Sequence, residues 1–236
     1  MRLSKSQIQK LGERLRRVDA PLQDSDLTLL DEYCQTFEEP YGEVMRVLAD
    51  LGLNPTGRLP KTTRSITAKL TRLRTNLARM QDIAGCRVVV ATCADQDQAA
   101  KRLCGRFPGA EPDDLRVRPS NGYRAVHVVV EVAGRPVEVQ IRTHLQQLWA
   151  EVSEKLADRF GLPVKYGQGP ELVATFLAGY SDEVAEVESL EDTLASVSPD
   201  YPGYGDLQGR LSTVKDALEG RLSLILDALD GLDGTQ

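Results

Sequence analysis

The chain has 236 residues, 41% hydrophobic and 27% charged, with a formal net charge of −6. This is the composition of an ordinary folded domain, and no apolar run reaches the roughly 20 residues that a membrane-spanning helix needs. Four cysteines without a CxxC pair, and only two histidines, argue against a zinc centre and read as buried reduced thiols.

The N-terminus, MRLSKSQIQKLGERLRR, is amphipathic and lacks the apolar core of a signal peptide. The expected location is the cytoplasm, with no membrane partner. Periodicity predicts a first helix over 4–18, with Ile8, Leu11, Leu15 and Val18 on one stripe. Asp24 or Ser25 is expected to cap a second helix through Phe37. Pro40 then interrupts, and a third helix runs over 43–51 and is closed by Gly52. LNPTGRLPKTT reads as a loop, and Ser65 or a nearby threonine starts a basic helix to about Leu77. Residues 86–91 form a β-branched run bounded by Gly85, the pattern of a buried strand. A helix follows over 95–106, a third β element around 115–118, and a turn at Pro119-Ser120-Asn121-Gly122. Strands at 124–132 and 136–142 are joined by Ala133-Gly134-Arg135. Three further helices are predicted over 145–160, 170–196 and 206–232, with SPDYPGYGD as a linker before the last. The domain reading is N-terminal helices over 1–54, a mixed core over 55–167, and a helical extension over 168–236.

The charge is unevenly spread. Seven basic residues and no acid lie between Arg58 and Arg79, whereas thirteen acids and three bases follow from Asp182 onward. A basic segment inside an acidic protein points to a local anion site. Arg58, Lys61, Ser65 and Lys69, in a loop entering a helix, suit a phosphate cradle. Asp82 stands just before the buried strand, and Arg87 interrupts that strand with a charge that needs a partner or a ligand. Asn121 and Gly122 form a turn that presents Tyr123 at a strand start, where an exposed aromatic ring can stack on a base. Tyr123 and His127 are four residues apart and so share a strand face. In VEVQIRT, Val137, Val139 and Ile141 alternate with Glu138, Gln140 and Arg142, so one face is apolar and the other carries an acid, an amide and a guanidinium. Asp82 and Glu138 supply the two carboxylates that magnesium-dependent phosphoryl chemistry uses. Neither GxxxxGK[ST] nor GxGxxG is present.

Together RLPKTTRSITAKL, QDIAGCRVVV, RPSNGYRAVH, VEVQIRT and LWAEVSEKL resemble the synthetase domain of the RelA/SpoT family, in the family's order and over about 58–155. The resemblance implies an α+β, nucleotidyltransferase-like mixed sheet of about five strands flanked by helices, with helical extensions at both ends. It implies pyrophosphate transfer from ATP to the 3′-hydroxyl of GDP or GTP, giving (p)ppGpp and AMP, with Mg²⁺. Some relatives are toxins that pyrophosphorylate tRNA 3′ ends or make adenine alarmones, the alternative reading. By motif position Asp82 is the implied metal ligand, and Glu138 the second acid on the metal or the acceptor hydroxyl. Arg58, Lys61, Ser65, Lys69 and Arg87 fall on the ATP side. Asn121, Tyr123, His127, Gln140 and Arg142 fall on the acceptor side, with Tyr123 stacking on guanine. Where the family usually has Arg-x-Lys ahead of the serine, Arg58 and Lys61 are here two residues apart. Many members have a histidine after the WAE-type segment, where this chain has Ser153-Glu154-Lys155. A homo-oligomer formed through the C-terminal helices is a further expectation.

Overall fold

The structure, a computed structural model, describes residues 3–17, 22–58, 62–161, 164 and 169–233. In chain order it contains α1 (Lys5–Leu15), α2 (Asp24–Gln35), α3 (Glu38–Asp50), β1 (Thr56–Arg58), α4 (Thr63–Leu73), β2 (Ala84–Val90), α5 (Cys93–Arg106), β3 (Pro112–Asp114), β4 (Val126–Val132), β5 (Arg135–Thr143), α6 (His144–Phe160), α7 (Glu171–Ser196) and α8 (Tyr204–Asp233). The strands form one mixed sheet in the order β1-β2-β5-β4-β3. The expected α+β arrangement of five strands flanked by helices is present. Among the described residues no helix is long and apolar enough to cross a membrane.

Local chemistry explains most of the boundaries. Ser4 and Gln7 form a reciprocal capping box at the start of α1. Val18, expected on the α1 stripe, lies outside the described residues. Gln23, not Asp24 or Ser25, stands at the α2 N-cap, and Asp24 is its first helical residue. Pro40 does not interrupt; it is the third residue of α3. In a first turn the backbone N–H that proline lacks has no intrahelical partner to lose. The cap of α4 is Thr62, whose hydroxyl accepts the Ser65 N–H at 3.3 Å. The helix ends at Arg74 in the left-handed conformation, so Leu77 belongs to a separate 3-10 turn, Leu77–Arg79.

Two β elements differ from expectation. The TGR of the presumed loop is β1, antiparallel to β2 with Thr56 opposite Arg87 and Gly57 opposite Cys86. Gly57 makes this close approach feasible, because a Cβ there would lie 2.8 Å from both the Gly85 oxygen and the Tyr41 hydroxyl. The strand expected at 115–118 instead lies at Pro112–Asp114. Asp114 accepts the Arg116 backbone N–H and its Nε, each at 2.9 Å, which folds the chain into a turn. The β4–β5 hairpin turns on Ala133 and Gly134, both at positive φ, as a two-residue type I′ loop requires. The Tyr204-Gly205-Asp206 end of the expected linker is helical.

Packing divides the chain into two units. The first comprises residues 1–88, 101–112 and 128–140; the second comprises 89–100, 113–127 and 141–236. β2, β4 and β5 each have residues in both. The core of the first contains Phe37, Leu30, Leu48, Ile66, Leu70, Leu77 and Ile83, all at most 1% exposed. The Arg135 guanidinium lies over the Tyr33 and Phe37 rings and donates to Thr36 Oγ1 at 2.8 Å. The core of the second is built by α6, α7 and α8 around Trp149, Leu156, Val184, Leu218 and Leu222.

Gly12 faces Leu77 within the first unit. An alanine there would gain about 1 kcal/mol of helix propensity. Its Cβ, however, would stand 2.8 Å from Leu77 Cβ and 3.1 Å from the Leu77 nitrogen, and overpacking of this kind costs about 1–3 kcal/mol. Gly12→Ala is therefore expected to lower the urea midpoint at unchanged slope; a raised midpoint would contradict the packing.

Cys34, Cys86 and Cys93 are buried and reduced. Burial, and then the charges of Asp31, Glu138 and Glu188 respectively, push their thiols up to about 11, about 12 and about 12. Little thiolate exists below those values, and the thiolate is the reactive form. In native protein at pH 8 a thiol reagent should reach Cys104 first, the other three following only as the pH rises or the protein unfolds. Fast reaction of a second thiol at pH 8 would contradict this.

Candidate active site

The ATP-side candidates fall in the first unit. Thr62 caps α4 and its hydroxyl also donates to Ser65 Oγ at 2.9 Å, so two hydroxyls sit with the unpaired N–H groups of a helix start. One turn on, Lys69 Nζ lies 2.6 Å from Asp82 Oδ2, with side chains 27% and 12% exposed. Asp82 precedes β2 by two residues. It also acts on Arg72, where burial lowers the guanidinium from its ordinary value and the Asp82 charge opposes that. Asp82 therefore faces two cations of α4.

Glu138 is half-buried on β5, and Gln140 Nε2 donates to its Oε2 at 2.8 Å. A Cβ added to Gly85 would lie 3.4 Å from the Glu138 main-chain oxygen and 3.9 Å from its Cβ. The Glu138 main chain thus runs beside Gly85, three positions beyond Asp82. Arg87 is half-buried opposite Thr56, and the backbone of Arg58 lies opposite Gly85. Lys61 lies outside the described residues.

Of the acceptor-side candidates, Asn121, Tyr123, His127 and Arg142 fall in the second unit, whereas Gln140 belongs to the first, where it bonds Glu138. Asn121 and Gly122 have φ of 54° and 83°, and the Tyr123 N–H donates to the Ser120 carbonyl at 3.0 Å. This is a tight turn whose central positions asparagine and glycine tolerate. The Asn121 amide donates to Ser120 Oγ at 3.4 Å. The Tyr123 hydroxyl is 2.7 Å from His127 Nε2 and accepts from Arg142 Nη2 at 2.8 Å. Arg142 is 3% exposed, and its other terminal nitrogen donates to Gln147 Oε1 at 2.9 Å. Gln147 in turn donates to Glu151. The phenol is thus tied down at its polar end, which fixes where its ring stands. Gln147 and Glu151 were not singled out from the sequence; their spacing of four on α6, inside the LWAEVSEKL segment, was the available signal.

The end of α1 and the face of α4 next to Ser65 and Lys69 enclose a groove of about 480 Å³ lined by Arg16, Arg17, Arg64 and Arg72, with Leu15 and Ala68 among its apolar walls. Among the described residues no group of three or more His, Cys, Asp or Glu side chains gathers as a metal cage. The oxygen donors Asp82 and Glu138 nevertheless fit Mg²⁺, which is commonly held by one or two carboxylates with substrate phosphates and water completing the shell.

Residues 57–158 match the sequence profile described as the region found in RelA / SpoT proteins. An uncharacterised protein of Mycobacterium tuberculosis (strain H37Rv) is 36% identical over 153 residues, 57% of this chain and 56% of that protein. The chain spans about half the length of the curated relatives it matches. The crystal structure of the small alarmone synthetase 1 from Bacillus subtilis bound to its product pppGpp superposes with a TM-score of 0.56 at 25% identity, covering 73% of this chain and 96% of that one. A second crystal structure of the small alarmone synthetase 1 from Bacillus subtilis gives a TM-score of 0.55 at 24% identity, covering 73% of this chain and 97% of that one.

Proposed function

We propose, from the match of residues 57–158 to the region found in RelA / SpoT proteins, that this chain is a pyrophosphokinase making (p)ppGpp and AMP from ATP and GDP or GTP. The observation that carries the reading is the Lys69–Asp82 pair at the head of β2 with Glu138 beside Gly85. It supplies a cation for phosphate oxygens and two carboxylates, one just ahead of β2 and one on β5. That is the equipment of a reaction governed by positioning and charge neutralisation.

In this reading Lys69, Ser65 and the α4 N-terminus bind the ATP phosphates, joined by Arg58, Lys61 and Arg87. Tyr123 stacks on the acceptor base; Arg142 and His127 hold its hydroxyl. Asn121 and Gln140 complete the acceptor contacts. Glu138 takes the 3′-hydroxyl proton as that oxygen bonds to the β-phosphorus of ATP. The bond from the β-phosphorus to the α,β-bridging oxygen breaks, and AMP leaves with that oxygen. Asp82 and Glu138 would hold Mg²⁺, which when bound neutralises phosphate charge and orients the oxygens. The cytoplasm, where these nucleotides are abundant, is the corresponding location. Leu224 and Leu232 of α8 are exposed, which suits a homo-oligomer, and light scattering tests that.

The arginine-lined groove favours a second reading, transfer to a tRNA 3′ end, because four guanidiniums suit a nucleic-acid backbone. An adenine nucleotide is the other acceptor of this alternative. ATP labelled in the γ-phosphate, incubated with Mg²⁺ and an equimolar mixture of GDP, GTP, ADP and total tRNA, separates these acceptors. Label on the guanine nucleotides is expected; label confined to tRNA or adenine nucleotide would replace the first reading by the second.

A further inference from the structure

We infer that Ser181 and Glu188 of α7 are positioning residues for the acceptor, holding the turn that carries Tyr123 where the acceptor base must lie. The inference rests on the reading of Tyr123 as the acceptor-stacking residue. Both residues lie beyond 57–158, in the helical extension.

The turn is held on both sides of Tyr123. Before it, Ser181 Oγ donates to the Gly122 carbonyl at 2.8 Å. The contact is flush, since a Cβ on Gly122 would stand 2.9 Å from the Trp149 ring and 3.0 Å from Ser181 Cβ. After it, Arg124 Nε donates to both Glu188 oxygens at 3.0 and 3.1 Å. Glu188 also accepts the Gln146 amide at 2.8 Å. Ser181 and Glu188 are 4% and 7% exposed and seven residues apart, so they project from one face of α7 two turns from each other. Trp149 Nε1 donates to the Leu177 carbonyl at 2.9 Å, which pins α6 to the same helix.

A buried ion pair adds little net stability over an apolar pair of the same volume. What Arg124–Glu188 supplies is direction: a guanidinium gripped by both carboxylate oxygens fixes the residue next to Tyr123. With the Tyr123 hydroxyl anchored by Arg142 and His127, the ring has its backbone set by α7 and its tip set by β4 and β5. A loosened turn would let the ring wander from the base while leaving the ATP side, in the other unit, as it was.

The test uses the whole chain as wild type, Ser181→Ala and Glu188→Gln, each checked for cooperative thermal unfolding. Two quantities are read: KM for the acceptor and for ATP, and acrylamide quenching of Trp149, the single tryptophan, which touches the turn. Both variants are expected to raise acceptor KM by about five- to tenfold, the worth of one hydrogen bond, with ATP KM essentially unchanged and Trp149 more readily quenched. Should Glu188→Gln fail to fold, Ser181→Ala decides alone. Wild-type turnover with unchanged acceptor KM in the variants overturns this inference and leaves the proposed reaction standing. Equal loss for both substrates, or unchanged quenching, also overturns it. A folded wild type with no turnover overturns the proposed reaction and this inference with it.

Discussion

Glu138→Gln is expected to lower turnover by about a thousandfold or more, the scale on which removal of a positioned general base acts, while the protein stays folded. The substitution is close to isosteric. A glutamine at this position still offers an oxygen to the Gln140 amide, now 2.8 Å from Glu138 Oε2, and still fits beside Gly85. What it loses is the negative charge, and with it both the ability to take the 3′-hydroxyl proton and half of the carboxylate set for a divalent cation. Asp82→Asn should act in the same direction through the other carboxylate, because the Lys69 ammonium 2.6 Å away would face a neutral amide. AMP formation at saturating ATP and acceptor measures both, with circular dichroism as the control for folding. A rate within tenfold of wild type in either variant would refute the assignment of that carboxylate.

Tyr123 is expected to separate its two roles in two variants. Tyr123→Ala removes the ring, and base–aromatic stacking is worth about 1–3 kcal/mol, so acceptor KM should rise by roughly 10- to 100-fold. Tyr123→Phe keeps the ring but removes the oxygen that accepts from Arg142 and meets His127. Arg142 is 3% exposed, so water does not readily replace that acceptor. Stability should then fall by about 1–3 kcal/mol, lowering Tm by roughly 2–10 °C, while acceptor KM changes less than in the alanine variant. If the phenylalanine variant loses acceptor affinity as fully as the alanine one, the hydroxyl itself meets the substrate and the anchoring role is wrong.

Features governed by local chemistry were legible in the sequence. The alternation in VEVQIRT placed Val137, Val139 and Ile141 inward, and all three are fully buried. The helical stripes and the Asn121-Gly122 turn are equally local. The cap of α4 was only half legible, because TTRS offers several hydroxyls and the choice depends on which one meets a free N–H. Long-range geometry was not legible. β1 exists because Gly57 lets the chain close on Gly85 and Tyr41, neither of them near it in sequence. Arg142 shares the polar face of β5 with Glu138, yet its guanidinium is consumed by Tyr123, 19 residues away, and by Gln147. Thirteen acids lie from Asp182 onward, yet Glu188 among them is buried against Arg124. Composition reports the average exposure of a segment, not which of its carboxylates turns inward.

The central claim is that a pyrophosphoryl group, not a single phosphoryl group, leaves ATP. The most direct measurement follows ATP labelled at the α-phosphate in one sample and the γ-phosphate in another, with Mg²⁺ and GDP or GTP, and resolves all nucleotides. The account predicts α-label appearing as AMP in equal amount to γ-label appearing on a 3′-pyrophosphorylated guanine nucleotide. Formation of ADP with the γ-label, or no transfer to a guanine nucleotide by folded protein, would contradict it.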